Sequence, residues 1–181
     1  AALALLEHGT DPNLRNRKRA TPLILAAQEG DVEVVRWLLY RSGLWTWAMD
    51  QMSPPTFVPQ LQSMMIERQQ RSLPHRHRNQ SDAQMKRPPI DIAATSSSGT
   101  TAVLQAAHFG HLEILEMLLE FERVLSSLPS SGLRGRRLIE VANFNGTTPL
   151  MRASQQGHAK VVEFLLRKGA LPNRRNLSMM T

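Results

Sequence analysis

Apolar and small residues recur in the same order in three gapless segments: "TPLILAAQEGDVEVVRWLL" from Thr21, "TAVLQAAHFGHLEILEMLL" from Thr101 and "TPLMRASQQGHAKVVEFLL" from Thr148. Each runs from a Thr through an apolar patch to a small residue, a Gly and a second apolar stripe. The pattern predicts a helix pair. Thr is a natural helix cap, and Pro22 or Pro149 stands in the first turn, where a missing N–H costs nothing. Leu23, Ala26 and Ala27 share one face of the first helix, and the alanines let a neighbouring helix approach closely. Gly30, Gly110 and Gly157 end that helix, since Gly takes the left-handed turn without penalty. A second helix then begins at Asp31, His111 or His158, with Val32, Val35, Leu38 and Leu39 at helical spacing in the first copy. Neither helix is long enough to be stable alone, so the pairs must stack.

The segment "NGTTPLMRASQQGHAKVVEFLLRKGALPN", Asn145 to Asn173, resembles the ankyrin repeat almost throughout. "LLEHGTDPN", Leu5 to Asn13, looks like the end of a preceding repeat. Thr148 to Thr181 spans 33 positions, the ankyrin period. The resemblance implies an all-α fold, an ankyrin-repeat solenoid of stacked antiparallel helix pairs with projecting β-turn loops. The chain then divides into 1–13 as the end of a repeat, a repeat over 14–43, an insertion over 44–91, a repeat over 92–137, a repeat over 138–170, and the start of another over 171–181. Thr101 lies 80 positions after Thr21, and Thr148 lies 47 after Thr101, which is the reason for the insertion at 44–91 and a shorter one near 122–137.

Two departures from the family pattern matter. The His that usually follows Thr-Pro-Leu is replaced by Ile24, Leu104 and Met151, so the turns are expected to be less rigid. Arg19 stands where the turn glycine belongs, a place kept by Gly99 and Gly146, so the first turn is expected to be strained or differently shaped.

Composition narrows the chemistry. The chain has no cysteine, so disulfides, thiolate nucleophiles and cysteine-ligated zinc are excluded. This agrees with an intracellular setting, cytoplasm or nucleus. No apolar run approaches the roughly 20 residues that span a bilayer. The opening "AALALLEHG" has no basic leader and reads as an excised fragment. The formal net charge of +7 is gathered in patches, at Arg15 to Arg19, Arg71 to Arg87, Arg134 to Arg137 and Arg174–Arg175. Residues 44–91 are rich in Pro, Gln, Ser and Arg, a composition that leans to disorder, although Gln60 to Gln70 has the pattern of a short helix.

His75 and His77, in "RSLPHRHRNQ", make a poor metal pair because Asp82 is their sole nearby carboxylate. His111 and His158 occupy the family's Gly-His position. No catalytic, cofactor-binding or metal site is expected: paired carboxylates, a Ser-His-Asp order and a phosphate-cradling loop are all missing from the sequence. Trp37 reads as core; Trp45 and Trp47 read as cover for helix ends or as partner anchors. Ser72 and Ser127, each four after an Arg and two before a Pro, partly resemble a phosphoserine motif read by 14-3-3 adaptor proteins. They are candidate phosphorylation sites.

In ankyrin proteins partners dock on turn tips and first-helix ends. By position the resemblance implicates Arg17, Lys18, Ala20, Gln28 and Glu29; then Ser97, Ser98, Thr100, His108 and Phe109; then Phe144, Asn145, Thr147, Gln155 and Gln156. The expected function is a non-catalytic protein-interaction module of a larger scaffold or adaptor, its partner a protein with an acidic surface. The alternative is binding of nucleic acid or anionic lipid through the basic loops.

Overall fold

The computed structural model describes residues 11–41, 90–126 and 137–177. Within them the chain forms α1 (Pro22–Glu29), α2 (Val32–Arg41), α3 (Ala102–Phe109), α4 (Leu112–Ser126), a 3-10 turn (Leu138–Glu140), α5 (Pro149–Gln155) and α6 (Ala159–Arg167). The expected helix at Gln60 to Gln70, Trp45, Trp47, His75, His77, Ser72 and Ser127 lie outside the described residues, as do most of 44–91 and 122–137.

The predicted caps form. The hydroxyls of Thr21, Thr101 and Thr148 accept from the amides of Ile24, Leu104 and Met151 at 3.4, 3.2 and 3.3 Å. Each short helix closes on its Gly: Asp31, His111 and His158 donate their amides to the carbonyls of Ala26, Ala106 and Ala153 at 3.0, 2.9 and 3.0 Å. That is the ring that satisfies a helix's last carbonyls when a left-handed residue follows.

Burial follows the stripes. Leu23, Ile24, Ala26 and Ala27 of α1, Val103, Ala106 and Ala107 of α3, and Leu150 and Ala153 of α5 are buried. These short helices pack in a row, α1 on α3 and α3 on α5, while α2 packs on α4 behind them. Val35, Leu38, Ile114, Leu115, Leu118, Val161 and Leu165 fill the space between the rows. Each such side chain contributes about 2 kcal/mol on leaving water, so no single pair could hold its own shape. Trp37 is partly buried against this core.

The second repeat departs from expectation. Glu122, expected to begin a loop insertion, instead lies inside α4, which continues to Ser126. Phe121 and Leu125 extend the helical stripe beyond Leu118, and both are buried with Leu138 and Ile139. Their burial keeps the helix going past the length of its neighbours.

Candidate partner-binding surface

The turns preceding α1, α3 and α5 are built alike. Asn16 accepts through Oδ1 from the amides of Lys18 and Ala20 at 2.9 and 3.0 Å. Asn143 does the same for Asn145 and Thr147 at 3.0 and 2.9 Å. Ser96 substitutes its hydroxyl, accepting from Ser98 and Thr100 at 3.3 and 3.2 Å. A short polar side chain thus nucleates each turn by mimicking a backbone acceptor. Sequence reasoning passed over these three anchors; the signal was there, since Asn16, Ser96 and Asn143 each stand five before the capping Thr.

Adjacent turns are joined in one register. The amide of Ser97 donates to the carbonyl of Lys18 at 2.8 Å, Phe144 to Ser98 at 3.2 Å, and Leu177 to Asn145 at 3.0 Å. The turn tips therefore form a continuous edge, each fixed by the one before. Arg19 adopts φ 56°, in the same left-handed region as Gly99 at 77° and Gly146 at 75°. The first turn is strained, as expected, but it keeps the common shape: Arg19 donates to Asn16 O at 2.8 Å, as Gly99 does to Ser96 O at 3.0 Å.

The lost Thr-Pro-Leu histidine is partly replaced. The amide of Thr148 donates to Met151 Sδ at 3.5 Å, while Ile24 and Leu104 are simply buried. A hydrogen bond between repeats comes instead from the next helix start. His111 Nε2 donates to Gln28 O at 3.2 Å and His158 Nε2 to His108 O at 2.9 Å, tying each repeat to the one before. A carbonyl only accepts, so both rings carry the proton on Nε2. Asp31, at the same position in the first copy, caps its own helix through Val34 N at 3.0 Å.

A further contact replaces a missing side chain. Asn13 accepts from the Asp91 amide at 2.8 Å, and Glu140 from the Leu171 amide at 2.8 Å, one repeat on in each case. The equivalent residue between them is Ala93, whose side chain has no acceptor. Glu122, on the extended α4, reaches the Leu138 amide instead, at 2.6 Å. Burial raises the Glu122 carboxyl above its ordinary pKa, against the opposing pull of that amide and of Arg137.

Between the first two turns and the exposed sides of α1 and α3 lies a groove of about 550 Å³. Lys18, Leu25, Gln28, Ser98, Thr100 and Gln105 line it, among others. Hydroxyls of Ser96, Ser98 and Thr100 form a chain at 2.9 and 2.8 Å, and Gln105 donates to Gln28 Oε1 at 3.1 Å. At the far end of α3, Phe109 stands edge-on to His108, with ring centres 4.6 Å apart, and stacks on His111 at 6.2 Å. Burial lowers the His108 pKa below its ordinary value, and Arg152 and His158 push in the same direction.

Sequence comparison agrees with this architecture. The family described as ankyrin repeats (3 copies) matches residues 78–176, more than half of the chain. A second description, ankyrin repeats (many copies), matches residues 1–39. The chain belongs to the ankyrin-repeat family. A search of the curated proteins finds no significant match.

The ankyrin positions expected to meet partners divide into two groups. Arg17, Lys18, Glu29, Ser97, Ser98, Phe109, Phe144, Asn145, Gln155 and Gln156 are exposed, and Gln28 and His108 are partly so. Ala20, Thr100 and Thr147 are buried. Their carbonyls pair back to the amides of Asn16, Ser96 and Asn143 at 3.0, 3.0 and 3.1 Å, closing each turn from inside. The basic clusters also divide. Arg137 donates to the carbonyls of Lys168 and Gly169 at 2.9 and 3.4 Å, and Arg174 to Glu140 O at 2.8 Å. Arg15 bridges to Thr95 O at 3.4 Å and to Asp91 at 3.9 Å. Arg17, Lys18 and Arg19 make no side-chain ion pair with another described residue. Among the described residues, no three His, Cys, Asp or Glu side chains are grouped to hold a metal, and no helix is long and apolar enough to cross a membrane.

Proposed function

We propose that this chain is a non-catalytic protein-interaction module of a larger intracellular scaffold or adaptor, binding partners through its turn tips and first-helix ends. Ankyrin repeats are generally protein-interaction modules. The observation that carries the reading is the exposure of two aromatic rings on that surface: Phe109 is 43 % exposed and Phe144 69 % exposed. Both sit on rigid supports, Phe109 on the His111 ring and Phe144 across Gly99, so little is lost in ordering them on binding.

The alternative, nucleic acid or anionic lipid held by the basic loops, is weakened by the internal use of Arg15, Arg137 and Arg174. An affinity pull-down with and without residues 45–91 separates partners read by the array from partners read by that segment. Against a captured partner, Phe109→Ala and Phe144→Ala should each cost about 2 kcal/mol or more. Binding that ignores both, or that is confined to nucleic acid or anionic lipid, overturns the reading.

A further inference from the structure

The groove between the first two turns has a chemistry of its own. Arg17 and Lys18 are among its lining, exposed and without an ion-pair partner among the described residues. Beside them, the linked hydroxyls of Ser96, Ser98 and Thr100 use two of their three protons within the chain and keep one to donate. Beside these, Leu25 is 39 % exposed on α1, an apolar side chain left on a polar wall. Two cations and a hydroxyl donor beside one apolar contact suit carboxylates that flank an apolar side chain.

Resting on the protein-interaction reading, we propose that this groove binds an extended acidic segment of a partner protein. Asp or Glu side chains pair with Arg17 and Lys18, one of them accepts the free proton of the hydroxyl chain, and one apolar residue between them covers Leu25. Charge excludes the nearer occupants. Residues 42–89 of this chain hold six Arg or Lys against three Asp or Glu, and a second copy carries the same +7. Both would meet these cations with like charge. A nucleic-acid strand fits less well, because it needs cations spaced along a track. Here the cations that line the groove are gathered at one turn tip, and the neighbouring Gln28, Gln105 and Leu25 are neutral.

The test is selection of a displayed random-peptide library on the full chain, followed by affinity measurement of the selected peptides. Enrichment of Asp and Glu around one apolar residue is expected. Binding should fall at least about tenfold in the Arg17→Glu/Lys18→Glu double variant and in Leu25→Asp. Replacing the peptide's Asp and Glu by Asn and Gln should weaken it similarly, while Lys160→Ala, at an exposed position on α6, leaves it unchanged. Failure to select any peptide, selection without acidic bias, or indifference to the Arg17/Lys18 variant overturns the proposal. Peptides that respond instead to Phe109→Ala or Phe144→Ala would leave the interaction module standing and remove only the groove. Binding solely to a single-stranded oligonucleotide, lost in both the charge variant and raised salt, would remove both readings.

Discussion

The ring of His158 lies directly over Gly110 while its Nε2 donates to the carbonyl of His108. A Cβ built on Gly110 would stand 2.7 Å from that ring, and one on Gly30 2.6 Å from His111. The same glycine that turns the chain is therefore the space into which the next repeat docks. At Gly157, with φ 74°, an added Cβ meets nothing within 4 Å.

Alanine at these glycines separates the two demands. Gly157→Ala should cost about 1–2 kcal/mol, the strain of a left-handed L-residue. Gly110→Ala carries the same strain and must also displace His158, so it should cost clearly more. In a His158→Ala background the Gly110→Ala cost should fall to the Gly157→Ala level. Urea unfolding of the four variants completes the cycle.

Arg19 holds a left-handed turn that its homologous positions give to glycine. Arg19→Gly should raise stability by about 0.5 kcal/mol or more, the relieved strain exceeding the flexibility added to the unfolded chain. The reverse change, Gly99→Arg, should be strongly destabilising, because a Cβ there stands 2.7 Å from the Phe144 ring and 2.8 Å from its amide nitrogen. The position of Phe144 is taken by Ser97 one turn earlier, a much smaller side chain, which leaves the first turn room for Arg19. Thermal unfolding of both variants tests this.

Glu122 links a pH dependence to one hydrogen bond. Its folded pKa is raised, so ionised Glu122 costs stability above that raised value, and the cost disappears below the ordinary value of 4.5. Glu122→Gln keeps an oxygen for the Leu138 amide without the buried charge. It should match or exceed the parent's stability at pH 7, with its advantage shrinking as pH falls toward 4.5. Glu122→Ala leaves the amide without its acceptor and should lose about 1–2 kcal/mol. Denaturant unfolding across that pH range distinguishes the three.

Phe144 separates stability from binding. Its side chain is largely exposed, so Phe144→Ala should change unfolding by less than about 0.5 kcal/mol. The same change should reduce partner affinity about thirtyfold if the ring is an anchor. Calorimetric unfolding beside a binding isotherm gives both numbers on one sample.

The sequence by itself determined the helix pairs, their caps and their stacking. Thr21, Gly30 and the Leu-Val stripes act locally, through caps, a left-handed turn and a 3.6-residue period, and local rules can be read in order along a chain. It also marked Arg19 as strained, because that rests on backbone chirality alone. The tertiary structure decided what depends on distant residues meeting. Ala20, Thr100 and Thr147 are numbered like turn-tip residues, yet their carbonyls turn inward to close the turns. Arg137 and Arg174 look like free charge until the carbonyls of Lys168 and Glu140 appear beside them. Glu122 has the spacing of an insertion residue, and burial of Phe121 and Leu125 draws it into a helix that reaches Leu138. Spacing in sequence sets which elements form; their packing sets which polar groups remain for a partner.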